Sequence, residues 1–335
     1  MPDGGPNVVA LGGGHGLSVA LRAARRYAGS LTAVVSVADD GGSSGRLRRD
    51  LDVVPPGDLR KCLVALADPD DVWATAFEHR FGGTELGGHA LGNLILVGLV
   101  ETLGDVAAAL DEAARLLGAA GRVRPATTER VVLKAQAQRP GSGGADGQVD
   151  GPDVQVEGQV AVMEHHGRIR RVELVPADVA AHPDTIRAID GADQVLLAPG
   201  SLFTSLLPVL VVPEIRAAIE RTRAQVVQVA NLAPQIPETE GLDLVDHLQA
   251  VQEHGVRVDV VVAASDGHLA ADTRSLEECG VDVVLAAITR PGAGAGGRPP
   301  GADVAWAHDP ARLAPVLSDL LASEARGAIA TPGGT

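Results

Sequence analysis

The chain has 335 residues, 45% of them hydrophobic, enough for one large α/β domain or two smaller ones. Its 28 Lys and Arg face 43 Asp and Glu, a formal net charge of −15, and aromatics make up 2%, which argues against a nucleic-acid-binding face or an aromatic stacking platform. Cys62 and Cys279 have no metal-ligand spacing, and the chain shows neither a signal-peptide pattern nor a run of about 18 apolar residues, so a cytoplasmic protein with no membrane span is expected.

The first element is Val8-Val9-Ala10-Leu11, which runs into Gly12, Gly13, Gly14, His15 and Gly16 before helical spacing begins at Leu17. This reads as strand, tight turn, helix, with free N–H groups at the helix start suited to an anion. It fits neither standard phosphate motif: the third glycine of Gly-x-Gly-x-x-Gly falls on Leu17, and no Gly-Lys-Ser/Thr follows. A second strand over 31–38 ends in Asp39 and Asp40, followed by Gly41, Gly42, Ser43, Ser44, Gly45 and Arg46. The two carboxylates at a strand's carboxyl end suit a sugar hydroxyl or Mg²⁺, and a plain capped turn is the alternative.

Asp58 is expected to cap a helix through residue 68, with Arg60 and Lys61 on its first turn, either as anion contacts or as ordinary exposed cations. Trp73, Phe77 and Phe81 are spaced to share one face of a helix over 73–81 and read as core. Gly87, Gly88, His89 and Asn93 form a third glycine-rich approach to an apolar helix over 94–103, and Asp105 caps the next helix.

A strand over 131–138 precedes a polar Gly/Ser/Pro stretch at 139–153, read as a flexible insertion. Alternation over 154–175 reads as an antiparallel excursion on one side of the sheet. The strand at 194–198 meets Pro199, Gly200 and Ser201, with Thr204 and Ser205 on the next turn; their hydroxyls suit either a phosphate or a helix cap. Further strands are expected at 225–230, 256–263 and 281–286, and helices at 214–223 and 242–253. Asn231, Glu238 and Thr239 would lie on the ligand side of the sheet. Residues 290–301 read as a mobile loop, 310–325 as the last helix, and 326–335 as a disordered tail. The whole is one α/β domain over 1–325, a mostly parallel sheet with helices on both faces.

Four stretches, residues 11–18, 38–46 with 55–67, 88–94, and 200–205 with 231–239, together resemble the YvcK family, the gluconeogenesis factors of the CofD-like superfamily. Ala38-Asp39-Asp40-Gly41-Gly42-Ser43-Ser44-Gly45-Arg46 is the most specific of these. The resemblance implies a Rossmann-like three-layer fold and a cytosolic protein tied to cell shape and cell-wall precursor supply. It also implies binding of UDP-N-acetylglucosamine, with no enzymatic activity established for that branch. The diphosphate would sit on Gly12, Gly13, Gly14, His15 and Gly16 and on Gly200, Ser201, Thr204 and Ser205. Asp39 or Asp40 would meet ribose, sugar or a metal ion, and Asn231 and Thr239 the sugar or base. Ser43, Ser44, Arg46, Arg60, His89 and Asn93 complete the expected pocket.

The related branch implies a second reading: a transferase moving a phospholactyl-type group from a guanine-nucleotide donor to a deazaflavin, with Mg²⁺ on Asp39 and Asp40. A scaffold whose glycine loops are only turns is the third. A regulatory Ser/Thr kinase and a second copy of the chain are candidate partners. Two positions depart from the family pattern: His15 stands in place of Thr, and Ile236-Pro237-Glu238-Thr239 in place of Pro-Gly-Glu-Thr.

Overall fold

A computed structural model describes residues 4–139, 153–269, 272–290 and 307–329, with side chains of the last stretch to 322. Residues 140–152 of the expected insertion (139–153), 291–301 of the expected Gly/Pro loop (290–301) and 330–335 of the expected tail (326–335) lie outside the described residues, while Asp153 begins a strand.

The opening apolar run is β1 (Asn7–Gly12), followed by α1 (Gly14–Ala24) and β2 (Ser30–Val35). Five helices then intervene: α2 (Gly42–Leu51), α3 (Pro56–Leu66), α4 (Val72–Glu78), α5 (Leu91–Leu103) and α6 (Val106–Leu116). They lead to a short strand, β3 (Arg122–Pro125). The excursion comprises β4 (Val132–Gln138), β5 (Asp153–Glu157), α7 (Gln159–Met163) and β6 (Ile169–Val175). The second half runs α8 (Pro183–Asp190), β7 (Gln194–Leu197), a π-helical turn (Leu202–Leu206), α9 (Leu207–Leu210), α10 (Pro213–Arg221) and β8 (Gln225–Val229). It closes with α11 (Leu244–Glu253), β9 (Val260–Ala264), α12 (Thr273–Glu278), β10 (Asp282–Ala286) and α13 (Pro310–Ile329).

Seven strands form one parallel sheet in the order β10-β9-β8-β7-β1-β2-β3. A parallel sheet needs both faces covered, and side chains alternate between them. Val9, Leu11, Val195 and Leu197 face one core with Leu133, Val172, Ile215 and Leu248. Val8, Ala10 and Leu196 face the other with Leu17, Leu21, Leu63 and Leu313. The excursion is a separate antiparallel sheet, β5-β4-β6, and its buried residues belong to the first core. The expected three-layer α/β architecture is therefore present, with no single helix among the described residues long and apolar enough to cross a membrane.

Several elements differ from the sequence expectation. The helix expected over 73–81 ends at Glu78, because His79 turns to an extended ψ of 129°. Phe77 alone of the three aromatics is core, while Trp73 is 42% exposed. Asp58 does not cap its helix: α3 begins at Pro56, with Pro55 at the N-cap. α13 continues to Ile329, beyond the expected end at 325. β3 reads Arg-Val-Arg-Pro and is strand because Arg124 is buried, bonded to both oxygens of Asp111 (2.8 and 2.9 Å) and to Asp184 (2.9 Å).

Candidate functional site

Strand order fixes where a ligand has room. The chain builds outward through β1, β2 and β3 in one direction, and through β7, β8, β9 and β10 in the other. The order reverses between β1 and β7, and the crevice of an open α/β sheet lies outside the carboxyl ends of such a strand pair. The glycine turn after β1 and the Pro199-Gly200 turn after β7 border it.

Much of the glycine content there serves packing. A Cβ on Gly16 would lie 1.7 Å from the Pro199 carbonyl oxygen, and one on Gly200 (φ +119°) would lie 3.6 Å from Gly16 Cα. The two turns thus pack backbone to backbone. Gly12 (φ +147°) lies against Ala198 in the same contact. Gly14 is different: at φ +60° its missing side chain faces open space. Asn231 locks the second turn, accepting from the Gly200 N–H at 2.7 Å and donating to the Gly200 carbonyl at 2.9 Å.

Both helix ends expected to hold the diphosphate already hold a carboxylate of the chain itself. Asp58 Oδ2 accepts the Gly14 N–H at 2.8 Å, and Lys61 donates to Asp58 Oδ1 at 3.0 Å. A Cβ on Gly13 would lie 2.6 Å from Asp58 and 3.2 Å from Ser205 Cβ, so this glycine admits both. At the π-helical turn, Glu238 Oε1 accepts from Phe203 N (2.8 Å), Thr204 N (2.9 Å) and Thr204 Oγ1 (3.2 Å). Burial raises the pKa of Glu238 against these hydrogen bonds and one from Ser201. Its Oε2 is buried with no hydrogen-bond partner among the described residues. Thr239, fully buried, does not face the crevice as expected; its hydroxyl closes a loop on Gln235, accepting from the N–H at 2.8 Å.

The adjacent Asp39 and Asp40 diverge. Asp40 accepts the N–H groups of Gln159 and Val160, both at 3.0 Å, one on each oxygen. It anchors the start of α7 to the β2 loop. The expected Mg²⁺ pair therefore does not fit, since each Asp40 oxygen is committed to backbone in the excursion. Asp39 instead accepts from Gly41 N at 3.0 Å. Its pKa is raised by burial first and by the Asp58 charge as well. Asp58, across the glycine turn, is thus the carboxylate that Asp39 senses. Among the described residues no group of three or more His, Cys, Asp or Glu is placed to hold a metal ion.

α2, which follows Asp39, has the open helix end. Its N-cap is Gly41, no side chain caps it, and its first turn carries no acidic residue. Gly42 (φ +49°) is exposed, with nothing within 4 Å of its missing side chain. Behind this end runs a buried polar chain. Ser43 Oγ bonds His89 Nδ1 at 3.0 Å and accepts from Asn93 Nδ2 at 3.0 Å. Asn93 Oδ1 accepts from Arg60 Nε at 3.0 Å, and Arg60 pairs with Glu78 at 2.6 Å. Arg60 can only donate, which fixes the Asn93 amide orientation. Burial lowers the pKa of His89 and favours the neutral ring.

Arg60 is thus no exposed cation; it is 2% exposed and holds α3 to α4 and α5. Arg46 donates to the Gly87 carbonyl at 2.8 Å and steadies the 82–88 loop. Ser44 Oγ accepts from Gly57 N at 3.0 Å. His15 is exposed at the rim, its pKa lowered by partial burial and then by Lys61. The crevice therefore presents Gly14, His15 and Asp39, with exposed Gly42 at the start of α2. It does not present Asp40, Arg60, Asn231 or Thr239 as free contacts. Sequence places Asp58 at a helix start and Glu238 on the ligand side of the sheet, but no local pattern shows that their carboxylates fill the helix ends after β1 and β7.

A family model described as 2-phospho-L-lactate transferase CofD matches residues 8–289. A Mycobacterium tuberculosis protein named "Putative gluconeogenesis factor" is 42% identical over 97% of this chain and 92% of its own. The Bacillus subtilis protein named "Gluconeogenesis factor" is 41% identical over 74% of this chain and 75% of its own. A crystal structure of a UPF0052-family protein from Bacillus halodurans superposes with a TM-score of 0.82 at 33% identity, covering 96% of this chain and 99% of that one. The chain belongs to the CofD family, in the YvcK branch whose curated members are named gluconeogenesis factors.

Proposed function

We propose that this protein is a cytoplasmic nucleotide-sugar-binding regulator that takes UDP-N-acetylglucosamine and serves cell shape and cell-wall precursor supply. The observation that carries the reading is the uncapped N-terminus of α2 after β2, one strand from the order reversal and tied to the glycine turn through Gly57 and Asp58. The diphosphate lies on the amides that begin α2, where the helix dipole favours negative charge. It does not lie on the two helix ends that Asp58 and Glu238 already fill. Asp39 accepts from a ribose or sugar hydroxyl. A ligand that binds only the native state stabilises it by RT ln(1 + [L]/Kd), about 2.7 kcal/mol at a hundredfold excess over Kd. UDP-N-acetylglucosamine should therefore raise the melting temperature, and GDP should not. Absence of a shift with any UDP-sugar up to millimolar concentration would sink the reading.

One observation favours a second reading, the transferase: the family model that matches residues 8–289 carries that description. Transfer from a guanine-nucleotide donor to a deazaflavin in the presence of Mg²⁺ would establish it.

A further inference from the structure

A cleft of about 760 Å³ opens on the helical side of the sheet, between the end of α1, the α3–α4 connection and the start of α13. Arg22, Arg25 and Arg26 line it together. Arg25 donates to the Ala67 carbonyl at 2.6 Å, while Arg22 and Arg26 are exposed and have no carboxylate partner among the described residues. The two acidic residues on the walls are committed elsewhere. Glu78 pairs with buried Arg60, and Asp309 accepts the Ala311 N–H at 2.8 Å to cap α13. Three guanidinium groups thus share one concave space, in a chain whose net charge is −15. The α1 dipole favours cations at this end, but it does not require a cavity beside them. The floor between them is apolar, built from Ala65, Ala74 and Pro310.

We propose that this cleft is a second ligand site, for a small phosphorylated molecule with a compact apolar body. The volume is that of a small-molecule pocket, and guanidinium groups recognise phosphate oxygens through paired N–H donors. The apolar part rests on the alanine and proline floor while the phosphate meets Arg22 and Arg26. Glu78 gives the cleft a shared wall with the crevice, because its carboxylate ends the Arg60–Asn93–Ser43–His89 chain behind α2.

Phenyl phosphate, with one dianion and one apolar ring, is the probe. Calorimetric titration of the full chain should show saturable one-to-one binding below about 10 mM. The double variant Arg22→Glu/Arg26→Glu should weaken it at least about tenfold while melting within about 2 °C of the parent, since both side chains are exposed and unpaired. Arg22 and Arg26 line this cleft and not the crevice, so the loss in the double variant separates the two sites. Equal affinity in the double variant or no saturation by the parent would each overturn the proposal. The affinity for UDP-N-acetylglucosamine is a separate readout, and its failure would leave this result standing.

Discussion

Removing the carboxylate of Glu238 should show that it functions as a built-in hydrogen-bond acceptor for the turn after β7. Glu238→Ala strips the acceptor from the Phe203 and Thr204 N–H groups, which sit in residues only 2% exposed. A buried donor left unpaired costs about 1–3 kcal/mol, so two of them and the lost side chain amount to roughly 3–5 kcal/mol. For a chain of 335 residues that is a fall of roughly 4–7 °C in melting temperature. Glu238→Gln should behave oppositely. Its amide oxygen keeps the acceptor role, and no charge is buried where Oε2 has no partner.

The pH dependence gives a second handle on the same residue. The folded pKa of Glu238 is raised, so the native state holds its proton more tightly than the unfolded chain. Wild-type stability from this group is present below the ordinary value of 4.5 and is lost as pH rises through the folded pKa. Glu238→Gln lacks that loss, so its melting temperature relative to wild type should improve from pH 4.5 to pH 7. Scanning calorimetry of the three proteins at both pH values measures this. An alanine variant that melts with wild type, or a glutamine variant as damaged as alanine, would refute the reasoning.

Asp40→Asn should lower stability by about 1–2 kcal/mol, because one of the Gln159 and Val160 N–H groups loses its acceptor, while the Kd for UDP-N-acetylglucosamine changes less than about twofold; a large loss of binding with unchanged stability would return Asp40 to the ligand. Gly16→Ala should destabilise by more than about 2 kcal/mol in urea titration, since its Cβ meets the Pro199 carbonyl, whereas Gly98→Ala in α5, where nothing lies within 4 Å, should be neutral or gain up to about 1 kcal/mol. Burial pushes His247 down to about 4, so between pH 6.5 and 4 the unfolded chain takes up a proton that the native state refuses. Stability from this group therefore falls on acidification, by about 3 kcal/mol at pH 4, and His247→Leu should flatten the decline; an unchanged pH profile would count against its burial as a neutral ring.

The parallel strands were legible because burial on both faces writes continuous apolar runs, as in Val8-Val9-Ala10-Leu11 and Val195-Leu196-Leu197. β3 was not, because an Arg-Val-Arg-Pro strand depends on Asp111 and Asp184, which lie far along the chain. α2 was hidden for a similar reason: Gly42, Ser43, Ser44 and Gly45 read locally as a turn. Gly45 must be glycine because a Cβ would lie 1.8 Å from the Asp40 carbonyl oxygen, a contact no local pattern displays. The crevice followed the same division. Its position could be derived from the succession of strand and glycine turn. The partners of each side chain could not, since Asp58 reaches Gly14 across 44 residues and Asp40 reaches Gln159 across 119. A carboxylate at a strand end looks the same in sequence whether it faces a ligand or a neighbouring helix.

The most direct measurement is a crystal structure of the full chain with UDP-N-acetylglucosamine. The diphosphate should lie against the amides of Gly42, Ser43 and Ser44, with Asp58 still bonded to Gly14 and Glu238 still bonded to Phe203 and Thr204. A diphosphate seated on the Gly14 or Phe203 amides, with either carboxylate displaced, would contradict the account.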